Sequence, residues 1–156
     1  MTKLEEGNPA PDFDLPTDGD GRLALADLTG KMVVLYFYPK DDTPGCTKEA
    51  IAFSALRDEF EKAGAVVIGV SPDTPAKHDK FKAKHELSVH LAADTDQATA
   101  NAYRVWVEKS MYGRKYMGIE RSTFLIGADG TLLKIWRKVK VAGHAEAVLD
   151  AVRAQG

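Results

Sequence analysis

A chain of 156 residues with 44% hydrophobic content is long enough for one well-buried core and too short for two ordinary domains, so residues 1–156 read as one globular domain. Lysine and arginine number 21 against 23 acidic residues, a formal net charge of -2 that supplies no field to draw nucleic acid or an anionic membrane. The segment up to Phe13 carries Glu5, Glu6 and two prolines and no signal-like apolar run, and no stretch approaches the length of a membrane span, so the expected location is the cytoplasm.

In chain order, Asp12 to Leu15 and Arg22 to Leu25 flank the string Asp18-Gly19-Asp20-Gly21, which predicts a small hairpin at the start. A calcium loop beginning at Asp18 would need a carboxylate at its last position, where Thr29 stands, so the string is read as a turn. Met32 to Tyr38, rich in β-branched and aromatic residues, predicts a buried strand. A helix is expected over Cys46 to Ala63, because Cys46, Ala50, Phe53, Leu56 and Phe60 recur at helical spacing and form one stripe with Cys46 at its inward start. A strand at Ala65 to Ser71 and helices at Pro75 to His85 and Thr95 to Tyr103 follow. Ser122 to Ile126 and Thr131 to Arg137 are joined by Gly127-Ala128-Asp129-Gly130, whose Asp-Gly pair suits a tight antiparallel reversal. A last helix is expected over His144 to Ala154. The alternation predicts an α/β fold with a central mixed β-sheet flanked by helices.

His78, His85 and His90 lack the spacing of zinc ligands and are assigned to solvent or to hydrogen bonds within the fold. Lys134, Arg137, Lys138 and Lys140 cluster around Trp136; in a slightly acidic chain they read as a solvated strand face or a docking surface rather than a nucleic-acid site. Val105-Trp106-Val107 and Met111-Tyr112 read as core or interface packing, with a wall of the active site as the alternative.

Cys46 is the one cysteine, so no disulfide forms within the chain, as suits a reducing compartment. A lone free cysteine is by default a small buried hydrophobe. Its position argues otherwise. A buried strand leads through Pro39-Lys40-Asp41-Asp42-Thr43-Pro44-Gly45 into a helix whose first turn holds Cys46, where unpaired backbone N–H groups and the helix dipole favour an anion. An ordinary thiol titrates at about 8.5, so any site that favours the anion raises the nucleophilic fraction at neutral pH. Thr43 offers a hydroxyl that both donates and accepts, and Pro44 stiffens the loop and shields the sulfur.

Pro39, Thr43 and Cys46 match the Pro-x-x-x-Thr-x-x-Cys pattern of the peroxiredoxins, and the longer string from Tyr38 to Ala50 resembles the bacterioferritin comigratory protein, or peroxiredoxin Q, branch. Gly7 to Leu15, Gly69 to Asp73 and Arg121 to Ile126 extend the resemblance along the chain. It implies a thioredoxin-like fold and a thiol peroxidase without metal or organic cofactor, in which Cys46 attacks a hydroperoxide and becomes a sulfenic acid. It also implies roles for Thr43, for Arg121 as the guanidinium beside the sulfur, and for Glu49 as the group that orients it. Without the resemblance Arg121 would be an ordinary surface arginine with Arg104, Arg114 and Lys115 as rivals, and Glu49 a good match to the helix dipole.

The chain departs from many of these relatives at Ile51, where they carry a resolving cysteine. The sulfenic acid must then be resolved by an external thiol: glutathione, glutaredoxin or thioredoxin. The resemblance implies a monomer, with a dimer left open. A different class of function, a redox sensor or holdase-like protein switched once by oxidation of Cys46, is separated from an enzyme by turnover.

Overall fold

The computed structural model describes residues 4–155. Strands β1 (Asp14–Pro16) and β2 (Arg22–Ala24) pair antiparallel with Leu15 opposite Leu23, the small hairpin expected, shifted slightly toward the C-terminus at its first strand. The turn between them is tied to the rest of the fold: Asp18 accepts from Leu91 N at 3.0 Å and pairs with Lys82 at 2.8 Å.

Strand β3 (Met32–Phe37) is buried on both faces, and the two-residue period of a strand divides it cleanly. Val34, Tyr36 and the following Tyr38 enter one core cluster, and Val33, Leu35 and Phe37 the other. The expected Cys46–Ala63 helix is two helices, α1 (Pro44–Ala55) and α2 (Arg57–Lys62), broken at Leu56 (φ -101, ψ 5). The break has a tertiary cause: the Ser54 carbonyl, which a continuous helix would spend on the residue four ahead, accepts from Ser88 Oγ at 3.1 Å, while Ser54 Oγ accepts from Ser88 N at 3.0 Å.

Next come β4 (Ala65–Ser71), α3 (Pro75–His85), β5 (His90–Ala93) and α4 (Ala98–Ala102). Helix α4 starts later than Thr95 because Asp94 caps it, its carboxylate accepting from Thr99 N at 3.1 Å and Ala100 N at 2.7 Å, so residues 95–97 form the turn. Strands β6 (Trp106–Met111) and β7 (Arg114–Ile119) form a separate antiparallel hairpin, followed by β8 (Ser122–Ile126), β9 (Leu132–Trp136) and α5 (His144–Gln155).

The main sheet has five strands in the order β5-β4-β3-β8-β9. β3 runs parallel to β4, which runs parallel to β5, while β8 runs antiparallel to both β3 and β9. This is the mixed sheet expected. Because β8 runs against β3, with Ser122 opposite Phe37, the start of β8 lies at the same sheet end as the exit of β3. Arg121 and the loop into α1 are thereby brought together. Among the described residues no helix is long and apolar enough to cross a membrane.

Candidate active site

Three elements build the site. The loop from Pro39 leads into α1, Thr43 stands at the N-cap in extended conformation (φ -97, ψ 154), and Pro44 opens the helix, where its missing N–H costs nothing. The Thr43 carbonyl accepts the first helical bond from Thr47 N at 2.8 Å, and its hydroxyl donates to the Lys40 carbonyl at 2.9 Å. Pro39 is half-buried at the strand exit. Cys46 follows on the inward face of α1, with 2% of its surface exposed.

Arg121 reaches this sulfur from the start of β8. Its Nη2 lies 3.4 Å from Cys46 Sγ and its Nη1 donates to Glu49 Oε1 at 2.6 Å. Its carbonyl accepts from Val139 N at 2.9 Å, which anchors the backbone behind the side chain. Cys46, Glu49 and Arg121 thus meet at one point, while Thr43 and Pro39 sit on the loop just before it. Arg104, Arg114 and Lys115, the rival cations, are exposed.

Burial opposes charge throughout this cluster. It pushes the Glu49 carboxyl up to about 7 even though Arg121 pulls the other way, and Glu49 Oε2 is buried with no hydrogen-bond partner. Burial also works against the Arg121 charge, but Glu49 and Cys46 outweigh it and hold the guanidinium above the ordinary arginine range. Lys109, on β6, is held below the usual lysine range by burial and by the positive charge of Arg121. His144 accepts or donates a 2.7 Å hydrogen bond with Thr123 Oγ1 and is pushed down to about 4, by burial first and by Arg121 second.

Several groups near the site carry no sequence signal. Tyr36 is fully buried, stacks on Phe53 with centroids 4.6 Å apart, and is pushed well above the tyrosine range by burial and by the negative charge of Glu49 and Cys46. Asp41 and His78 form a buried pair at 2.7 Å. His78 is thus satisfied by hydrogen bonds, as expected of it, and His85 pairs with Asp42 at 2.8 Å. Among the described residues no group of three or more His, Cys, Asp or Glu could hold a metal ion.

The basic cluster is engaged locally: Lys134 lies over the Trp136 ring at 5.2 Å, and Arg137 over the Phe124 ring at 5.5 Å. Val105 is buried in the core, whereas Met111 and Tyr112 are exposed at 55% and 99% on the β6–β7 hairpin and belong to neither core cluster of the described residues.

A nucleophile-type sulfur, a cation against it and a carboxylate fixing that cation suit displacement at an electron-poor oxygen. Comparison with known proteins agrees. The AhpC/TSA family profile matches residues 7–135. Peroxiredoxin Bcp of Bacillus subtilis is 49% identical over 150 residues, covering 96% of each chain. A Xanthomonas campestris bacterioferritin comigratory protein, solved in a study of its alkyl peroxide reduction activity, superposes with a TM-score of 0.88 at 48% identity, over 92% of this chain and 91% of that one. A cysteine-to-serine mutant of PrxQ from Xylella fastidiosa superposes with a TM-score of 0.93 at 40% identity, over 99% of both chains. The fold is the thioredoxin-like fold of these peroxiredoxins. The chain belongs to the AhpC/TSA family, where it stands beside the Bcp and PrxQ peroxiredoxins as a thiol-dependent peroxidase.

Proposed function

We propose that Cys46 is the nucleophile of this peroxidase and that Arg121, Glu49, Thr43 and Pro39 complete its site within a single domain. The observation that carries the reading is the 3.4 Å approach of Arg121 Nη2 to the sulfur, with the rest of the guanidinium held by Glu49. The thiolate attacks one peroxide oxygen; an S–O bond forms as the O–O bond breaks, and two electrons pass from sulfur to the departing oxygen. That oxygen leaves as water or an alcohol after taking a proton, balanced by the one lost when the thiol ionised. Arg121 stabilises charge on the thiolate and on the leaving oxygen, and its fixed fork orients both. Thr43 offers the peroxide a hydroxyl, and Pro39, with its fixed φ, stiffens the start of the loop that leads to Cys46.

The substrates are hydrogen peroxide and organic hydroperoxides. With no second cysteine in the chain, the sulfenic acid condenses with an external thiol, releasing water, and a second thiol frees Cys46 as a disulfide departs. The reductant is glutathione, glutaredoxin or thioredoxin, the location is the reducing cytoplasm, and the working unit is a monomer.

After one equivalent of peroxide without reductant, mass spectrometry should find one added oxygen on Cys46. Steady-state turnover with each thiol system in turn then identifies the reductant. Full peroxidase activity in Cys46→Ser would overthrow the assignment, and consumption that stops after one equivalent despite excess thiol would favour a sensor instead.

A further inference from the structure

The loop that delivers Cys46 is clamped to α3. Asp42 within it sits at φ 60, in the left-handed region that an aspartate adopts only at a cost, so surrounding contacts must impose that conformation. Asp41, one residue earlier and buried, makes the main contacts. Its Oδ1 accepts from Tyr38 OH at 2.6 Å, its Oδ2 meets His78 Nδ1 at 2.7 Å, and its backbone N–H donates to Asp73 Oδ2 at 2.7 Å. Asp73 is fixed in turn by Ser71 Oγ at 2.7 Å. Outside, Asp42 is held by Lys84 at 2.6 Å and His85 at 2.8 Å.

His78 is wholly buried and its other nitrogen, Nε2, lies 2.9 Å from the Ala92 carbonyl on β5. A carbonyl only accepts, so Nε2 carries a hydrogen, and the 2.7 Å contact on the far side then needs one further proton shared between Nδ1 and the carboxylate. The pair is neutral as a unit and every hydrogen-bonding group of the imidazole is spent. Such a pair is a poor device for stability alone, since desolvating it is costly and an apolar side chain of similar volume would hold α3 in place as well. What an apolar side chain cannot do is fix the backbone of an irregular loop.

We propose that His78, acting through Asp41, is a positioning residue for the peroxide step: it holds the Pro39–Gly45 loop so that Thr43 and Cys46 meet the peroxide in register with Arg121. This rests on Cys46 being the nucleophile. A sub-ångström to ångström loss of register in such a site costs up to about a hundredfold in rate.

The test compares His78→Leu and Asp41→Ala, which break the clamp, with Asp41→Asn, whose amide still accepts from Tyr38 and donates to a neutral His78. Two rates are measured for each, well below its melting temperature: stopped-flow oxidation of Cys46 by hydrogen peroxide, which needs the assembled site, and alkylation of Cys46 by iodoacetamide, which does not. The breaking variants are expected to slow oxidation by about ten- to a hundredfold while alkylation stays the same or accelerates, and Asp41→Asn is expected to restore oxidation. If His78→Leu does not fold, Asp41→Ala carries the same comparison. Unchanged oxidation in the breaking variants, an equal loss in both reactions, or an Asp41→Asn variant as slow as Asp41→Ala would each overturn the proposal. Peroxide turnover that survives Cys46→Ser would instead defeat the nucleophile assignment, and is read on a separate protein.

Discussion

A Cβ built on Gly45 would lie 3.2 Å from Nη2 of Arg121, so the guanidinium that approaches Cys46 rests on a residue without a side chain. Gly45 is the second residue of α1, where alanine gains over glycine at most the roughly 0.5–1 kcal/mol of a mid-helix position. Gly45→Ala is therefore expected to keep or raise the melting temperature. Arg121 must nevertheless yield by a few tenths of an ångström against its 2.6 Å bond to Glu49, and the rate of peroxide reduction is expected to fall roughly three- to tenfold. A variant that is both more stable and fully active would show that the arginine has slack, contrary to this reading.

Gly69 poses the opposite case. It sits opposite Tyr36 in the β3–β4 pair, and a Cβ there would lie 2.6 Å from Tyr36 Cζ. The ring cannot move aside, being buried and stacked on Phe53 and Tyr38. Gly69→Ala is expected to destabilise the fold by about 1–3 kcal/mol, the usual cost of overpacking. Urea denaturation measures it, and a loss well below that range would mean that the sheet relaxes freely here.

Much of this architecture is legible in the sequence because its signals are local. The unbroken run of apolar, β-branched and aromatic residues in Met32 to Phe37 and the Asp129-Gly130 turn declare a buried strand and a hairpin without help from elsewhere. The β6–β7 hairpin declares nothing: most of its residues are not buried, so no alternating pattern is imposed, and its reversal uses Tyr112 and Gly113 at φ 52 and 78 rather than a familiar turn pair. The break at Leu56 depends on Ser88, far along the chain, and so escapes any local reading. The site divides in the same way. Thr43 and Cys46 stand together in one string, whereas Arg121 is 75 residues from Cys46 and was reachable only through family resemblance. The Asp41–His78 pair, 37 residues apart, could not be read from the sequence at all.

Glu49 and His144 should oppose one another in the pH dependence of stability. Burial raises Glu49 from 4.5 to about 7, so the folded state holds its proton longer than the unfolded state, and the resulting stability is present below 4.5 and lost as pH rises through about 7. Burial lowers His144 from 6.5 to about 4, so its contribution is present above 6.5 and lost as pH falls through about 4. Across the shared window the two slopes have opposite sign. Glu49→Gln is expected to leave a protein that loses stability on acidification from pH 6.5 to 4.5. His144→Asn is expected to leave one that gains stability over the same range. Urea midpoints at several pH values decide the matter, and parallel profiles for the two variants would refute the assignment of opposite signs.

Ile51 offers the last prediction. Five residues beyond Cys46 at about 100° per residue, it points roughly 140° away from the sulfur, and it is 46% exposed where Cys46 is 2% exposed. Within an intact α1 the two side chains diverge, and a disulfide cannot span the positions without backbone movement. Ile51→Cys treated with one equivalent of peroxide is therefore expected to cross-link only as the first turns of α1 open. Disulfide formation should accelerate in urea below the unfolding transition, and the cross-linked form should lose helical signal near 222 nm relative to the reduced form. Because the loop before α1 is tied to α3 through Asp41 and Asp42, Asp41→Ala in the same background should speed the step from sulfenic acid to disulfide, once Cys46 is oxidised, even though the oxidation itself is slower. A disulfide that forms at a rate indifferent to urea, with the helix signal intact, would mean that α1 is already open in solution and that Cys46 does not reside where Arg121 can meet it.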